Sequence, residues 1–202
     1  IKKVDLIGFH GQTIYHNAKK KISIQLGSGS RISEKLNLPV VSDFRTDDLL
    51  NGGQGAPLVP IFHQKIFGKK RQNLSIVNIG GISNLTLLIG KEKVFSTDIG
   101  PGNRLIDDFC CKYFNKEFDK NGELSSDGKF KTKLVDRWLS YKIFERKLPR
   151  SYDSTDFKLK DFVNGENYKK IDILSSLVFL SSKLIVNSSK FFGVKPGKII
   201  LC

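Results

Sequence analysis

The chain has 202 residues, of which 39% are hydrophobic and 27% charged, so it can bury a core for one domain or for parts of two. No stretch reaches the roughly 18 to 20 apolar residues that a membrane span needs, because Asp, Ser and Lys interrupt the most apolar run, residues 171–186. We see no secretory signal, and three cysteines, two of them adjacent, fit neither a disulfide framework nor a metal site. We therefore expect a cytoplasmic protein that needs no membrane partner.

The net charge of +14 raises the question of nucleic-acid binding. Lysines are spread along the whole chain, and the densest basic runs, residues 19–21 and 69–71, are short. No nucleic-acid reading module accompanies the charge, so we expect solvated surface lysines and no nucleic-acid partner. A basic nucleic-acid-binding module remains the alternative from a different functional class, and it requires one contiguous basic face.

Short segments rich in β-branched residues alternate with helical patterns along the chain. We predict strands at residues 4–9, 22–26, 39–43, 74–79, 84–89, 94–97 and 198–201, and helices at 31–36, 58–66, 104–114, 129–141 and 171–191. Ser30 and Asn103 are the predicted helix N-caps, and Gly193 suits a C-terminal cap. The alternation predicts an α/β fold, in which the strands between residues 74 and 97 form an antiparallel meander that leads into a helix.

Both ends of the sequence fall within strand-like runs. An unpaired buried strand leaves backbone groups unsatisfied, so we expect an internal fragment of a longer protein. The pattern also changes between Gly68 and Asn73, where we place a domain boundary.

The turn at residues 98–103 joins a predicted strand to a predicted helix and begins with the carboxylate Asp98. We expect Asp98 at the carboxyl end of its strand, where open α/β sheets bind ligands, and near helix amides that favour anions. In phosphoryl transfer a positioned Asp accepts the proton of the attacking oxygen, which makes Asp98 a candidate catalytic base. Taken alone, the turn fits better with an Asp that only caps it through backbone amides.

Three further polar segments follow predicted strands. Gly80 and Gly81 lie between two strands, where they allow positive φ and where paired amides can form a phosphate nest, although a plain hairpin is the alternative. Residues 42–58 combine three carboxylates and Arg45 with a glycine-rich loop, which suits a polyhydroxylated or anionic ligand but also a domain-linking turn. His10 and Gln12 can hydrogen-bond sugar hydroxyls, although a lone His is more often structural.

In combination these segments resemble the anhydro-N-acetylmuramic acid kinases of bacterial peptidoglycan recycling. The matching stretches occur in the family's order and cover residues 1–128: residues 7–16, Asp43-Phe44-Arg45 with Asp48, residues 52–60, residues 78–84 and residues 98–103. Beyond residue 128 the similarity weakens to Pro149-Arg150-Ser151, which looks like a diverged Pro-Lys-Ser segment, and Asp156-Phe157.

The resemblance implies an α/β fold of the actin-like ATPase (ribonuclease H-like) class with two domains and the active site between them. Residues 1–70 would be the C-terminal part of the first actin-like domain, and residues 71–202 most of the second. Members of this family hydrolyse the 1,6-anhydro ring of their sugar and phosphorylate its 6-oxygen with ATP and Mg²⁺, which gives N-acetylmuramic acid 6-phosphate. The resemblance also suggests a homodimer.

The same resemblance assigns roles to the candidate residues. Asp98 matches the catalytic Asp and would take a proton from the water that attacks the anomeric carbon. The expected nucleotide-binding residues are Gly80, Gly81 and Asn84, and the expected substrate-binding or cleft residues are His10, Gln12, Arg45, Asp48 and Asn103. The family's phosphate loop and its second nucleotide segment have no match here, so this chain alone is predicted to be inactive.

Two alternatives keep the fold but change the activity. In the first, the enzyme phosphorylates an ordinary sugar or polyol, and Asp98 deprotonates a hydroxyl group instead of water. In the second, the chain is a pseudo-enzyme, which an intact cleft around Asp98 would make less probable.

Overall fold

The computed structural model describes residues 3–69, 72–194 and 197–202, and it divides into two compact units, Ile1–Val59 and Pro60–Cys202. We call them unit 1 and unit 2. Unit 1 contains strands β1 (Ile7–Phe9), β2 (Gln12–Asn17), β3 (Ile22–Leu26) and β4 (Val40–Ser42), and helices α1 (Gly29–Leu36) and α2 (Phe44–Leu50). Strand β1 pairs in parallel with β4, and β2 forms an antiparallel hairpin with β3.

The predictions for unit 1 missed two elements, strand β2 and helix α2, and misplaced one helix cap. Strand β2 was not predicted, because Gln12 and Thr13 looked like a ligand-binding loop after β1. The N-cap of α1 is Ser28 rather than Ser30, since the Ser28 hydroxyl accepts the Arg31 amide at 3.3 Å and the helix already begins at Gly29.

Unit 2 contains a four-stranded sheet. Its elements are α3 (Pro60–Phe67), β5 (Asn73–Ile79), β6 (Ile82–Ile89), β7 (Lys93–Pro101), α4 (Arg104–Phe114), α5 (Glu123–Ser126), α6 (Thr132–Leu139), α7 (Leu159–Val163), α8 (Lys170–Asn187) and β8 (Lys198–Leu201). The strand order is β7-β6-β5-β8, with β8 parallel to β5. The predicted antiparallel meander that leads into a helix is confirmed.

The main hydrophobic core of unit 2 lies between one face of this sheet and the helices. Val77, Leu85 and Leu87 of the sheet belong to one buried cluster with residues of α4, α6 and α8, among them Phe109, Trp138 and Leu177. A smaller cluster on the opposite face joins Leu74, Ile76 and Leu88 to Phe67 of α3. The sheet is therefore covered by apolar side chains on both faces, as expected for a layered α/β fold.

The division between the units falls earlier than the predicted boundary at residues 68–73. Helix α3 belongs to unit 2, because Phe67 packs into the smaller cluster and His63 Nδ1 lies 3.0 Å from Thr86 Oγ1 of β6. The identification of the two units with parts of two actin-like domains stays a prediction.

Helix α8 and the 3-10 turn that follows it form one apolar segment, Lys170–Phe192. It is 23 residues long and contains an 18-residue window with a mean hydropathy of 1.4, so by length and composition alone it could cross a membrane, and half of that window is buried inside the protein. Leu174, Leu177 and Leu180 are among its buried residues and belong to the main core. A core helix of a globular protein passes the same test.

Candidate active site around Asp98

Asp98 lies within strand β7 and not at its end. The strand continues to Pro101, and the expectation that the chain turns directly after Asp98 is therefore wrong. In the pairing with β6, Asn84 is opposite Asp98 and Ser83 is opposite Gly100, so Ile99 is the extra residue of a β-bulge. Bulges bend a strand and redirect the neighbouring side chains. The orientation of Asp98 is therefore set by the bulge and not by the end of the strand.

The free edge of β7 is covered by the segment Arg150–Tyr152. The Asp98 amide donates to the Arg150 carbonyl at 3.0 Å, and the Arg150 amide donates to Thr97 Oγ1 at 2.9 Å. The Tyr152 amide donates to Asp98 Oδ2 at 2.8 Å. This segment therefore pairs with the backbone of β7 and also binds the candidate catalytic carboxylate.

The Asp98 carboxyl group has an altered acidity. Burial raises its pKa, while hydrogen bonds from the Tyr152 amide and the Ser151 side chain and the positive charge of Arg150 oppose this increase. The side chain is nevertheless only half-buried. A partly accessible carboxylate with a raised pKa is suited to accept a proton.

Two asparagines lie next to Asp98 across the sheet. The strand register pairs Asn78 with Asn84 and Asn84 with Asp98, so the three side chains share one sheet face. Asn78 is exposed and Asn84 is half-buried. The predicted nucleotide-binding Asn84 and the predicted base Asp98 are thus direct cross-strand neighbours.

The turn at Gly80 and Gly81 does not have the backbone conformation that we predicted. Neither glycine has a positive φ, and a Cβ atom would lie 3.5 Å from its nearest neighbour at Gly80 and 3.9 Å away at Gly81. The fold therefore does not require glycine at either position. Within the described part of the chain, the amides of both residues have no hydrogen-bond acceptor, so they are free to bind an external anion.

The amides before helix α4 are not available in the same way. The N–H groups of Gly102 and Arg104 donate to the Gly81 carbonyl at 2.9 and 3.2 Å, and the Asn103 amide donates to the Gly80 carbonyl at 2.9 Å. These three amides are therefore not free to bind an anion. A Cβ at Gly102 would lie 2.3 Å from the Gly80 carbonyl oxygen, so this contact between two turns requires glycine.

Asn103 precedes α4 as predicted, but its side chain does not cap the helix. Instead, Asn103 Nδ2 donates to the Ile79 carbonyl at 3.3 Å, which ties the start of α4 to the end of β5. The side chain is exposed beside the Gly80–Gly81 turn.

In unit 1 the structure brings together two of the predicted substrate-binding residues. Arg45 Nε donates to His10 Nε2 at 3.0 Å. His10 also lines a cavity of about 290 Å³, together with Ser23, Gln25, Ser42, Asp43, Thr46 and four other residues. Gln12 does not join this pair, because it is exposed on β2 and its side chain reaches only the Thr13 carbonyl at 3.5 Å.

Asp48 folds the glycine-rich loop of unit 1. Its Oδ2 atom accepts the Gly55 amide at 2.7 Å, and its carbonyl accepts the Gly53 amide at 2.7 Å. The carboxylate expected to bind substrate therefore has a structural partner within its own loop.

Sequence reasoning missed the contributions of Arg150 and Tyr152. The segment Pro149-Arg150-Ser151 was noticed only as a diverged motif, although it supplies the cover over β7. The contact of Tyr152 is made by its backbone amide, a group that every residue except proline has, so no residue pattern could have indicated it.

Comparisons with known proteins match the chain to one family. A sequence profile of the family Anhydro-N-acetylmuramic acid kinase matches residues 1–202. Proteins named anhydro-N-acetylmuramic acid kinase are 36% identical over 98% of this chain in Coxiella burnetii, 41% over 92% in Pelagibacter ubique and 43% over 76% in Methylobacterium nodulans. The matched regions are 55%, 50% and 42% of those relatives, so the chain spans about half the length of the curated relatives it matches. The chain belongs to the anhydro-N-acetylmuramic acid kinase family.

Proposed function

We propose that this chain forms the catalytic-base region of a cytoplasmic kinase that acts on 1,6-anhydro-N-acetylmuramic acid and ATP in peptidoglycan recycling. The product would be N-acetylmuramic acid 6-phosphate. The observation that carries the proposal is the half-buried Asp98 carboxylate, which the Tyr152 amide holds at 2.8 Å beside Asn84 in a chain of this family.

Asp98 would act as a general base toward water. It accepts one proton from the water molecule whose oxygen attacks the anomeric carbon, and the bond between that carbon and the 6-oxygen breaks. The freed 6-oxygen then attacks the γ-phosphorus of ATP, and ADP leaves. The raised pKa of Asp98 supports this role because it makes the carboxylate a stronger proton acceptor.

The Gly80–Gly81 turn would bind the nucleotide phosphates. Its two amides have no acceptor among the described residues, and neither glycine is tightly packed, since an added Cβ would make only ordinary van der Waals contact. Asn84 would orient the phosphates from the neighbouring strand. These residues fit a phosphate group by their donors and by their open approach.

Mg²⁺ would offset the charge of those phosphates. Among the described residues no group of three or more His, Cys, Asp or Glu side chains could hold a metal ion. This fits an ion carried mainly by phosphate oxygens and water, because Mg²⁺ in kinase sites commonly uses only one or two carboxylates.

The polar residues of unit 1 would bind the sugar. His10 and Arg45 form a hydrogen-bonded pair in which Arg45 Nε donates to the His10 ring, and hydroxyl and carboxylate groups line the cavity next to His10. Such groups suit a ligand with many hydroxyls and a carboxylate. Gln12, Asp48 and Asn103 remain proposed cleft residues, and a homodimer remains the proposed assembly.

A comparison of two proteins tests the proposal. The first is the 202-residue chain, and the second is an extended version to which the segments of the Pelagibacter ubique relative outside the matched region are added at both ends. We expect the extended version to convert 1,6-anhydro-N-acetylmuramic acid and ATP into the 6-phosphate, and the 202-residue chain to show little turnover.

The products identify the substrate class. Phosphorylation of an ordinary hexose with no reaction of the anhydrosugar would support the alternative sugar kinase. Equal turnover by both proteins would show that the 202 residues form a complete catalytic unit.

A further inference from the structure

Arg150 is a buried cation to which the proposed chemistry gives no role. It is only 7% exposed, and no carboxylate of the described residues forms an ion pair with it. Its guanidinium lies over the rings of Tyr152 and Phe191, at 5.3 and 4.8 Å from their centroids. Burying a charge without a carboxylate partner is costly, and an apolar side chain at position 150 would stabilise the protein more. The presence of a buried guanidinium therefore indicates that it has a specific task.

The hydrogen bonds of the guanidinium point to that task. Nε donates to the Asp98 carbonyl at 3.2 Å, Nη2 to the Ile99 carbonyl at 2.9 Å and Nη1 to the Phe144 carbonyl at 2.6 Å. The first two acceptors belong to the candidate base and to the bulged residue next to it. One planar group therefore fixes two consecutive peptide units at the bulge.

The backbone of Arg150 adds to this hold. Its carbonyl accepts the Asp98 amide at 3.0 Å, so Asp98 is bound to Arg150 through both its N–H and its C=O group. Two residues later, the Tyr152 amide binds the Asp98 carboxylate. The position of the carboxylate thus depends on the segment that Arg150 anchors.

We propose that Arg150 is a positioning residue for Asp98, holding the bulged backbone of β7 with its guanidinium. The positive charge of Arg150 also favours the ionised carboxylate. The inference rests on the proposed function in so far as Asp98 is the base. It deepens that function by assigning a role to a residue that does not touch the substrate.

Two variants of Arg150 separate the effect of the three guanidinium hydrogen bonds from the effect of the positive charge. In the extended version, Arg150→Met removes both, and we expect kcat to fall by about 10²-fold with KM values for sugar and ATP within about threefold of the parent. The acidic limb of the kcat profile should move to higher pH, because the charge that lowers the pKa of Asp98 is gone. Arg150→Lys keeps the charge but cannot span three carbonyls, so kcat should fall while the acidic limb stays in place.

Arg146 provides the matched control. It belongs to the same loop, donates to the Ser151 carbonyl at 3.2 Å and pairs with Asp156, but it has no hydrogen bond to Asp98. Arg146→Gln should keep kcat within about threefold and leave the acidic limb unchanged. Unchanged kcat in Arg150→Met, or an equal shift of the limb in Arg146→Gln, would overturn the proposal.

A measurement without turnover keeps this inference separate from the proposed function. In the 202-residue chain, the ¹³C resonance of the Asp98 carboxyl group can be titrated by NMR in the parent and both Arg150 variants. We expect a higher pKa of Asp98 in Arg150→Met than in Arg150→Lys, and identical titrations would overturn the proposal. An extended version that never phosphorylates the anhydrosugar would count against the function, while the NMR result would still decide the role of Arg150.

Discussion

Burial of the Asp98 carboxylate lowers the stability of the protein at neutral pH. Because its folded pKa is raised above the usual value, the folded state binds the Asp98 proton more tightly than the unfolded state does. The contribution of Asp98 to stability is therefore greatest below its ordinary pKa and declines as the pH rises through the raised one. A carboxylate kept in such a place is typical of a functional site in which stability and activity conflict.

Replacement of Asp98 by Asn should separate these two effects. In the extended version, Asp98→Asn is expected to reduce kcat by about 10²- to 10⁴-fold, the range for loss of a general base. In the 202-residue chain, the same change should raise Tm at pH 7 by about 2 to 4 °C, because it removes a partly desolvated charge. Turnover assays and thermal unfolding at pH 7 measure the two quantities.

Asp107→Asn is the control for this experiment. Asp107 is half-buried on α4, and burial raises its pKa too, but it lies outside the candidate site. Its replacement should leave kcat within about threefold. A similar loss of kcat in both variants would contradict a special role for Asp98.

Two turns meet at Gly81 and Gly102, and replacement by alanine should have different effects on stability at these two positions. In Gly81→Ala the nearest neighbour of the added Cβ is 3.9 Å away, which is an ordinary van der Waals contact, so Tm should stay within about 1 °C. KM for ATP should rise, because the methyl group enters the proposed phosphate approach. Gly102→Ala brings a Cβ within 2.3 Å of a carbonyl oxygen and should lower stability by about 1 to 3 kcal/mol. Thermal unfolding and ATP-dependent kinetics check both, and an unchanged KM in Gly81→Ala would argue against nucleotide binding at this turn.

Helix α8 supports the chain between β7 and α4 through one buried hydroxyl. Ser181 Oγ lies 3.0 Å from the Pro101 carbonyl and 2.8 Å from the Gly102 carbonyl, and the side chain is 8% exposed. The turn after Asp98 therefore depends on a helix that is far away in sequence. This connection between elements is invisible in the local pattern of either one.

Ser181→Ala should lower stability by about 1 to 2 kcal/mol, because it leaves two buried carbonyls without this donor. Ser182→Ala is the matched control, since Ser182 is exposed and its hydroxyl bonds only the Val178 carbonyl of its own helix. We expect the control to stay within about 0.5 kcal/mol of the parent. Chemical unfolding of the two variants measures the difference, and equal stabilities would show that the Ser181 contact contributes little.

At the element scale, sequence patterns located most strands and helices but not the features that shape the site. The bounds of β3, α4 and β8 were predicted to the residue, because apolar periodicity and turn residues mark them. The extension of β7 beyond Asp98 was missed, since two glycines and a proline normally end a strand. Here the neighbouring β6 and the Arg150 segment supply partners that override this local signal.

At the scale of the whole molecule, the α/β fold class and the family could be predicted, because the order of five short motifs is specific even though each one is common. Of the candidate site, the sequence indicated Asp98 and Asn84 but not the amides and carbonyls that hold them. Backbone contacts such as that of Tyr152 depend on three-dimensional pairing, not on residue type. The limits of the compact units were predicted less well than the motifs, since α3 joins unit 2 through tertiary contacts.

The two units should differ in their ability to fold alone. Of the hydrophobic side chains buried in the described residues, only Leu49 belongs to unit 1, so we expect residues 60–202 to unfold cooperatively and residues 1–59 not to do so. A shorter piece, residues 71–202, lacks α3 and with it the packing of Phe67 on the smaller cluster, so it should be less stable than 60–202 by about 2 kcal/mol, the value of one buried large apolar side chain. The single tryptophan, Trp138, is fully buried, so its fluorescence reports the unfolding of both 60–202 and 71–202. Equal stability of 60–202 and 71–202 would support the boundary predicted from the sequence at residues 68–73. A clearly lower stability of 71–202 would show that α3 belongs to the second unit in solution.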